Sequence, residues 1–361
     1  MARSGRASHR RWLEALTDLP TASGREGAVV TWVKLWAKKR GLAVRADSAG
    51  NLLVGPPRRS RRRPVVAVAH MDHPALVIKE HGARLTASLR GGVYPEYLDG
   101  AAVQIETATH PVRARITDFD PETQMAVLSA RSREVRIGDI ARWYLTPASL
   151  GVVDDRLRAR ACDDLAGAAA ALSALHLAVG QGINHLLVLL TRAEEVGFIG
   201  AIAACELGTL PVGSRVLSIE CSRSSSDAPV GGGPIVRVGD ASSVFSHELT
   251  NRVTEVAKQG SIPYQRKLMA GGSCEATAFA ALGYEATGLC LALDNYHNMA
   301  NIDLVRAGRR RPRLVPEEIS LTDFDGLVSL LLATSLELDS AHATLPKRLR
   351  DLYRTEKHVL G

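Results

Sequence analysis

Aromatic residues are scarce in this chain of 361 residues, 4% of the total, although hydrophobic residues make up 46%. A core poor in rings must be built from Ala, Leu and Val, which favours aliphatic helices packed on buried strands. Cysteines are few and odd in number, at positions 162, 205, 221, 274 and 290, with no Cys-x-x-Cys pair. That argues against a disulfide framework and for a reducing compartment. No apolar run approaches the roughly 20 residues of a membrane span. No continuous apolar segment precedes Asp18, so no signal peptide is expected and the reading is a cytoplasmic protein with no membrane partner. Acidic residues are outnumbered, 38 against 45 basic, for a net charge of +7. Much of the excess lies in three runs, Arg6 to Arg11, Arg58 to Arg63 and Arg309 to Arg313. No stacking aromatics interleave with these arginines, which weakens a nucleic-acid reading and leaves solvated segments.

What is present is a strong alternation of patterns. Trp12, Leu13 and Leu16, then Val29, Trp32, Val33 and Trp36, recur at helical spacing, with Pro20 and Gly24 between them. Two short strands, Leu42 to Arg45 and Asn51 to Val54, flank a turn at Asp47–Gly50. The run Pro64-Val-Val-Ala-Val-Ala-His70 is short, continuous and apolar before its polar end, and it reads as a buried parallel strand. From about Ala75 to Val153 the segments shorten and alternate, with Gly, Pro and Asp between them; Leu76 to Ile78, Val103 to Glu106, Arg113 to Thr117, Met125 to Leu128 and Val135 to Ile137 read as strands. After Asp163 helices and strands alternate again: helices over 166–179, 197–207, 248–259, 273–282 and 321–338, strands over 185–191, 214–219 and 286–293. The expected fold class is α/β, a mainly parallel sheet with helices on both faces, plus a small inserted all-β domain. The expected division is 1–74 with 154–361 for the α/β domain and 75–153 for the insertion.

In such sheets ligands bind beyond the carboxyl ends of the strands. His70 and Asp72 follow one apolar strand, Glu194 and Glu195 a second, Glu220 a third and His297 a fourth, while Asp163 precedes the Ala-rich helix. Imidazole and carboxylate are zinc ligands. Two ions need a shared anionic bridge, which one aspartate can supply, and a non-ligating glutamate beside them can take a proton from water and return it to a leaving amine. The Glu194–Glu195 pair suits that division. Asp72, two residues after His70 on an extended chain, can hydrogen-bond the imidazole and fix its tautomer. Each feature alone has a plainer reading: a polar strand end for His70, a helix-dipole partner for the Glu pair, an N-cap for Asp163–Asp164. Glu220 is harder to dismiss, because a carboxylate after an apolar strand needs a partner. Their joint placement at corresponding strand ends carries the metal reading.

At these residues the sequence resembles the tetrahedral-aminopeptidase and glutamyl-aminopeptidase-like family of co-catalytic zinc metallopeptidases. The matching segments are Asp47-Ser-Ala-Gly-Asn51, Ala69-His-Met-Asp72, Ala161-Cys-Asp-Asp164, Arg192-Ala-Glu-Glu-Val-Gly-Phe-Ile-Gly-Ala201 and Gly271-Gly-Ser-Cys-Glu-Ala276. The resemblance implies a zinc-exopeptidase-like fold, with His70, Asp163 and Glu220 holding one metal and Asp163, Glu195 and His297 the other. It implies Glu194 as general base and acid and Asp72 as the residue orienting His70. It further implies two divalent ions, zinc with cobalt or manganese as alternatives, a peptide substrate, an inserted domain used for subunit contacts, and assembly into dimers or a dodecamer built from them. The chain departs from the family pattern at Glu220, where an aspartate is usual, at Leu165, at Cys274–Glu275 and at Asn298–Met299, positions that fall mostly on the substrate-facing wall. Two rival readings share parts of this pattern: a metal-dependent amidohydrolase of small N-acyl substrates, and a non-catalytic basic binding protein.

Overall fold

The computed structural model describes residues 3–58, 60–82, 84–130, 132–341 and 345–360. Its centre is an eight-stranded sheet in the order Ala43–Ala46, Leu52–Gly55, Leu186–Thr191, Val65–His70, Arg215–Arg223, Glu285–Leu293, Ile235–Asp240, Gln265–Met269. The four strands from Leu186–Thr191 to Glu285–Leu293 run parallel. Their side chains are buried almost throughout, which is why they read as continuous apolar runs. The flanks are less regular. Leu52–Gly55 joins antiparallel to Leu186–Thr191, and Ile235–Asp240 joins antiparallel to Glu285–Leu293, so the sheet is mixed.

Helices cover both faces. Leu165–Gly180 is built almost wholly of Ala and Leu, and its residues from Leu165 to Leu175 are all buried between the sheet and the helix Leu321–Glu337. Small side chains let the helix pack closely on the strands to one side and on neighbouring helices to the other, so it lacks the one-sided pattern of a surface helix. Arg3–Thr17 and His247–Gln259 pack on the same face. Ile199–Glu206 and Glu275–Ala281 cover the other face through Ala201, Ala204 and Phe279.

Six strands close into a small barrel: Ala75–His81, Leu85–Arg90, Met125–Leu128, Val112–Asp120, Ala102–Glu106 and Ile140–Trp143. Their alternate residues fill its interior, and Met299, Ile302 and Val305 from beyond the main sheet join that core. Val135–Ile137, expected as a strand, is instead a turn. Val135 still enters the barrel core, but Arg136 N–H donates to the Asp139 carboxylate and Gly138 takes a positive φ of 91°, which bends the chain out of any ladder. Gly151–Val153, Arg156–Ala159 and Glu317–Ser320 form a third, antiparallel sheet.

The Arg runs are solvent-facing in the main. Arg10 pairs with Asp325 at 2.9 Å and Arg63 with Glu285 at 2.6 Å, and the residues 309–312 are exposed. Arg59, part of the second run, lies outside the described residues. No helix among the described residues is long and apolar enough to cross a membrane.

Candidate metal centre

The carboxyl ends of the four parallel strands converge on one cluster of acids and imidazoles. His70 is the last residue of its strand, and Glu220 lies within Arg215–Arg223. Glu194 and Glu195 sit three and four residues past Thr191, in the bend before the helix Ile199–Glu206. His297 lies in the turn after Leu293, and Asp163 just before the helix Leu165–Gly180, joined to Asp164 by a cis peptide.

The distances are short. His70 Nε2 lies 3.4 Å from Asp163 Oδ1, 3.8 Å from Glu220 Oε1 and 3.9 Å from Glu194 Oε2. His297 Nε2 lies 3.4 Å from Asp163 Oδ2 and 3.2 Å from Glu195 Oε1. Asp163 thus turns one oxygen to each imidazole. Three overlapping groups, His70–Asp163–Glu220, Asp163–Glu195–His297 and His70–Glu194–Glu195, each bring their ligating atoms within 4.8 Å of one another. All five residues expected as metal ligands are therefore gathered at one place, with Glu194 beside them.

The cluster suits cations in its chemistry as well as its spacing. Asp163 Oδ1, Glu195 Oε1, Glu220 Oε1 and His297 Nε2 are buried and have no hydrogen-bond partner. A buried polar atom left unpaired is costly. Four of them close together would be satisfied by divalent ions, for which nitrogen and oxygen are suitable ligands. The electrostatics agree. Burial alone would depress the His70 and His297 imidazoles, but the carboxylates around them outweigh it and hold both well above the usual histidine range. Burial, reinforced by neighbouring acids, pushes Glu194 and Glu220 well up from the usual carboxylate range. Asp163 goes the other way: burial opposes its charge, yet the His297 and His70 imidazoles, each 3.4 Å from one of its oxygens, hold its pKa down. The same anionic field that draws protons here would favour metal ions.

The surrounding residues set the imidazoles. His297 Nδ1–H donates to the carbonyl of Gly92 at 2.6 Å, leaving Nε2 to face Asp163 and Glu195. His70 Nδ1 lies 3.1 Å from the Asp72 carbonyl oxygen and 3.5 Å from its carboxylate. The Asp72 carboxylate makes closer contacts elsewhere. It accepts the backbone N–H of Glu194 at 3.0 Å and of Glu195 at 3.2 Å, and the Ser23 hydroxyl at 2.6 Å. Asp72 therefore holds the Glu194–Glu195 bend as directly as it touches His70. Gly200 lets that bend close: a Cβ there would lie 2.3 and 2.5 Å from backbone atoms of Arg192. Ala193 and His297 both take left-handed backbone conformations, φ 51° and 53°, a costly state for a side-chain-bearing residue and one that collects at functional sites.

Several residues of the site are not apparent from sequence. Glu275 is fully buried with neither oxygen hydrogen-bonded, and burial raises its pKa to about 7. It begins the helix Glu275–Ala281, where it reads as an ordinary first-turn acid. Glu317 and His73 are also buried against the cluster; neither belongs to a spacing pattern that would single it out. A cleft of about 550 Å³ opens beside Glu220 and Tyr296 and is lined by Ser222, Arg237, Lys267 and the Gly271–Ser273 loop. Arg237 is 3% exposed. Its guanidinium reaches Ser222 Oγ at 3.3 Å, its Nε has no partner, and among the described residues no carboxylate pairs with it.

The sequence model of the family described as M42 glutamyl aminopeptidase matches residues 128–307. A curated protein of Acetivibrio thermocellus, whose name as an aminopeptidase is itself provisional, is 25% identical over 279 residues, 72% of this chain and 83% of that protein. Among solved structures, the TET1 peptidase of Pyrococcus horikoshii, which assembles into a tetrahedron or a large octahedral shell, superposes with a TM-score of 0.74 at 22% identity, covering 91% of this chain and 99% of that one. The TET aminopeptidase of a marine-sediment Thaumarchaeota archaeon gives a TM-score of 0.76 at 19% identity, covering 93% and 100%. With the matched segment spanning the Asp163, Glu194–Glu195, Glu220 and His297 positions, the chain belongs to the M42 aminopeptidase family of peptide hydrolases.

Proposed function

We propose that the chain is a dinuclear-metal aminopeptidase. His70, Asp163 and Glu220 would hold one divalent ion and Asp163, Glu195 and His297 the other, with zinc the first candidate and cobalt or manganese alternatives. The observation that carries this reading is the placement of Asp163, one oxygen 3.4 Å from each imidazole. When bound, such ions polarise a carbonyl and lower the pKa of water. Glu194 is the proton carrier: it is buried beside the cage, its backbone N–H is fixed by Asp72, and its carboxyl lies in reach of the space between the ligands. It takes a proton from the attacking water and passes it to the departing amine.

The cleft beside Glu220 supports a preference for an acidic N-terminal residue. A buried guanidinium with no carboxylate partner is costly, and a substrate carboxylate would satisfy it in the bidentate geometry arginine favours. The barrel strands would lie in an inserted domain, 75–153, serving subunit contacts or substrate access, with Gly151–Val153 already paired to the α/β part. Homo-oligomeric assembly is proposed on the likeness to relatives that form shells, and a cytoplasmic location on composition alone.

A panel of aminoacyl amides, free and N-blocked, with zinc, cobalt or manganese added and with chelator controls, tests the proposal. Metal-dependent release from free-amine substrates is the expected result. Release only from N-blocked substrates would replace the aminopeptidase by an amidohydrolase.

A further inference from the structure

Glu317 is fully buried at the start of the strand Glu317–Ser320, which belongs to the small three-stranded sheet and not to the main one. Its Oε2 accepts the backbone N–H of Cys162 at 2.6 Å and of Asp163 at 3.1 Å. Its Oε1 accepts the backbone N–H of His297 at 2.8 Å. Among the described residues no Lys or Arg pairs with it within 4 Å. One carboxylate therefore spans two loops that are 134 positions apart in number, those carrying Asp163 and His297. A second tie joins the same loops. His73 Nδ1 meets the Asp163 carbonyl at 2.6 Å, and His73 Nε2 meets Asn298 Oδ1 at 3.1 Å.

We infer that Glu317 is a positioning residue: it sets the separation of Asp163 and His297 and so the shape of the half of the cage made by Asp163, Glu195 and His297. The inference rests on the two-metal reading. Three backbone donors converge on two oxygens, two at one end of the carboxylate and one at the other. Each end must therefore be an acceptor. Glutamine has the same length and nearly the same volume, but one end is an NH₂ group. In either orientation that group faces a backbone N–H, donor against donor, and one loop is released. Aspartate keeps two acceptor oxygens but is one methylene too short to reach both loops. A residue that merely fills space would tolerate glutamine; Glu317 would not.

The test is calorimetric titration of zinc into the metal-free full-length protein, wild type and Glu317→Gln, with thermal unfolding of each metal-free form as a check on folding. Two binding events in the wild type are expected. In E317Q at least one event should weaken by about 10- to 100-fold, the usual effect of removing a group that orients a metal ligand: one if the His297 loop is released, both if the loop of the shared Asp163 is. Two unchanged events in E317Q would overturn the inference while leaving the two-metal reading intact. A wild type that binds fewer than two ions would overturn the reading itself and the inference with it. Should E317Q fail to fold, Glu317→Asp takes its place in the same titration: at least one weakened event supports the inference and wild-type binding refutes it.

Discussion

Glu194 and Glu195 adjoin in sequence and both approach an imidazole, Glu194 at 3.9 Å from His70 and Glu195 at 3.2 Å from His297. The shorter contact belongs to the proposed ligand and the longer to the proposed proton carrier. Glu194→Gln is accordingly expected to bind metal normally and to lose about 10²- to 10⁴-fold in kcat, the range general acid–base catalysis contributes. Metal content by elemental analysis and steady-state kinetics check this together; near-native kcat would remove Glu194 from the mechanism. Arg237 supplies a second test at the same scale. Arg237→Met should lower kcat/KM for N-terminal Asp and Glu substrates by about 10- to 100-fold, the worth of a charge-assisted hydrogen bond or two. Neutral substrates should change little. An equal loss on both classes would mean that Arg237 shapes the cleft without reading charge. These two residues differ in how visible they are beforehand. The Glu pair follows an apolar strand and announces itself. Arg237 sits inside the strand Ile235–Asp240, where it interrupts the apolar pattern and hides both the strand and the cleft.

Elements whose side chains bury uniformly were legible in the sequence, and elements held by mixed environments were not. Val65–His70 and Leu186–Thr191 are buried on both faces and read as strands at once. Gln265–Met269 is a polar edge strand with alternating partial exposure, and nothing in its composition marks it. Glu317–Ser320 is mostly buried, yet its Glu-Glu-Ile-Ser composition lacks an apolar run, so neither the strand nor the carboxylate that ties the ligand loops is marked in the sequence. The first helix, Arg3–Thr17, shows how an element can carry its own pH dependence. His9 lies between Trp12, at 5.2 Å, and His176, at 6.4 Å, with both ring nitrogens unpartnered. Arg40 caps the same cluster over Trp12 and Trp36. Burial, aided by His176 and Arg40 and opposed by Asp325, lowers the His9 pKa from 6.5 to about 4. A base whose folded pKa is depressed contributes stability that is fully present above pH 6.5 and is lost as pH falls toward 4. Thermal unfolding of the metal-free protein should therefore weaken across that window, and His9→Phe should flatten the part due to this cluster. A variant with an unchanged pH profile would assign the acid sensitivity elsewhere.

At the scale of the whole molecule, four strand ends place four segments of the chain around one point, although His70 and His297 are 227 positions apart in number. Sequence order and strand pattern were enough to anticipate that convergence, because parallel strands must present their carboxyl ends on one side. The closed barrel was legible only as a stretch of short strands; its closure, and its use of Met299, Ile302 and Val305 from a later segment, follow from long-range packing that no local pattern encodes. The barrel also reaches the site, since Gly92 accepts the Nδ1–H of His297. The central claim is that this convergence makes a cage for two cations sharing Asp163. The most direct measurement is an anomalous difference map from crystals of the full-length protein grown with zinc. Two peaks flanking Asp163 are predicted, one beside His70 and Glu220 and the other beside Glu195 and His297. A map with no peak between these residues, or with zinc bound only elsewhere, would contradict the account.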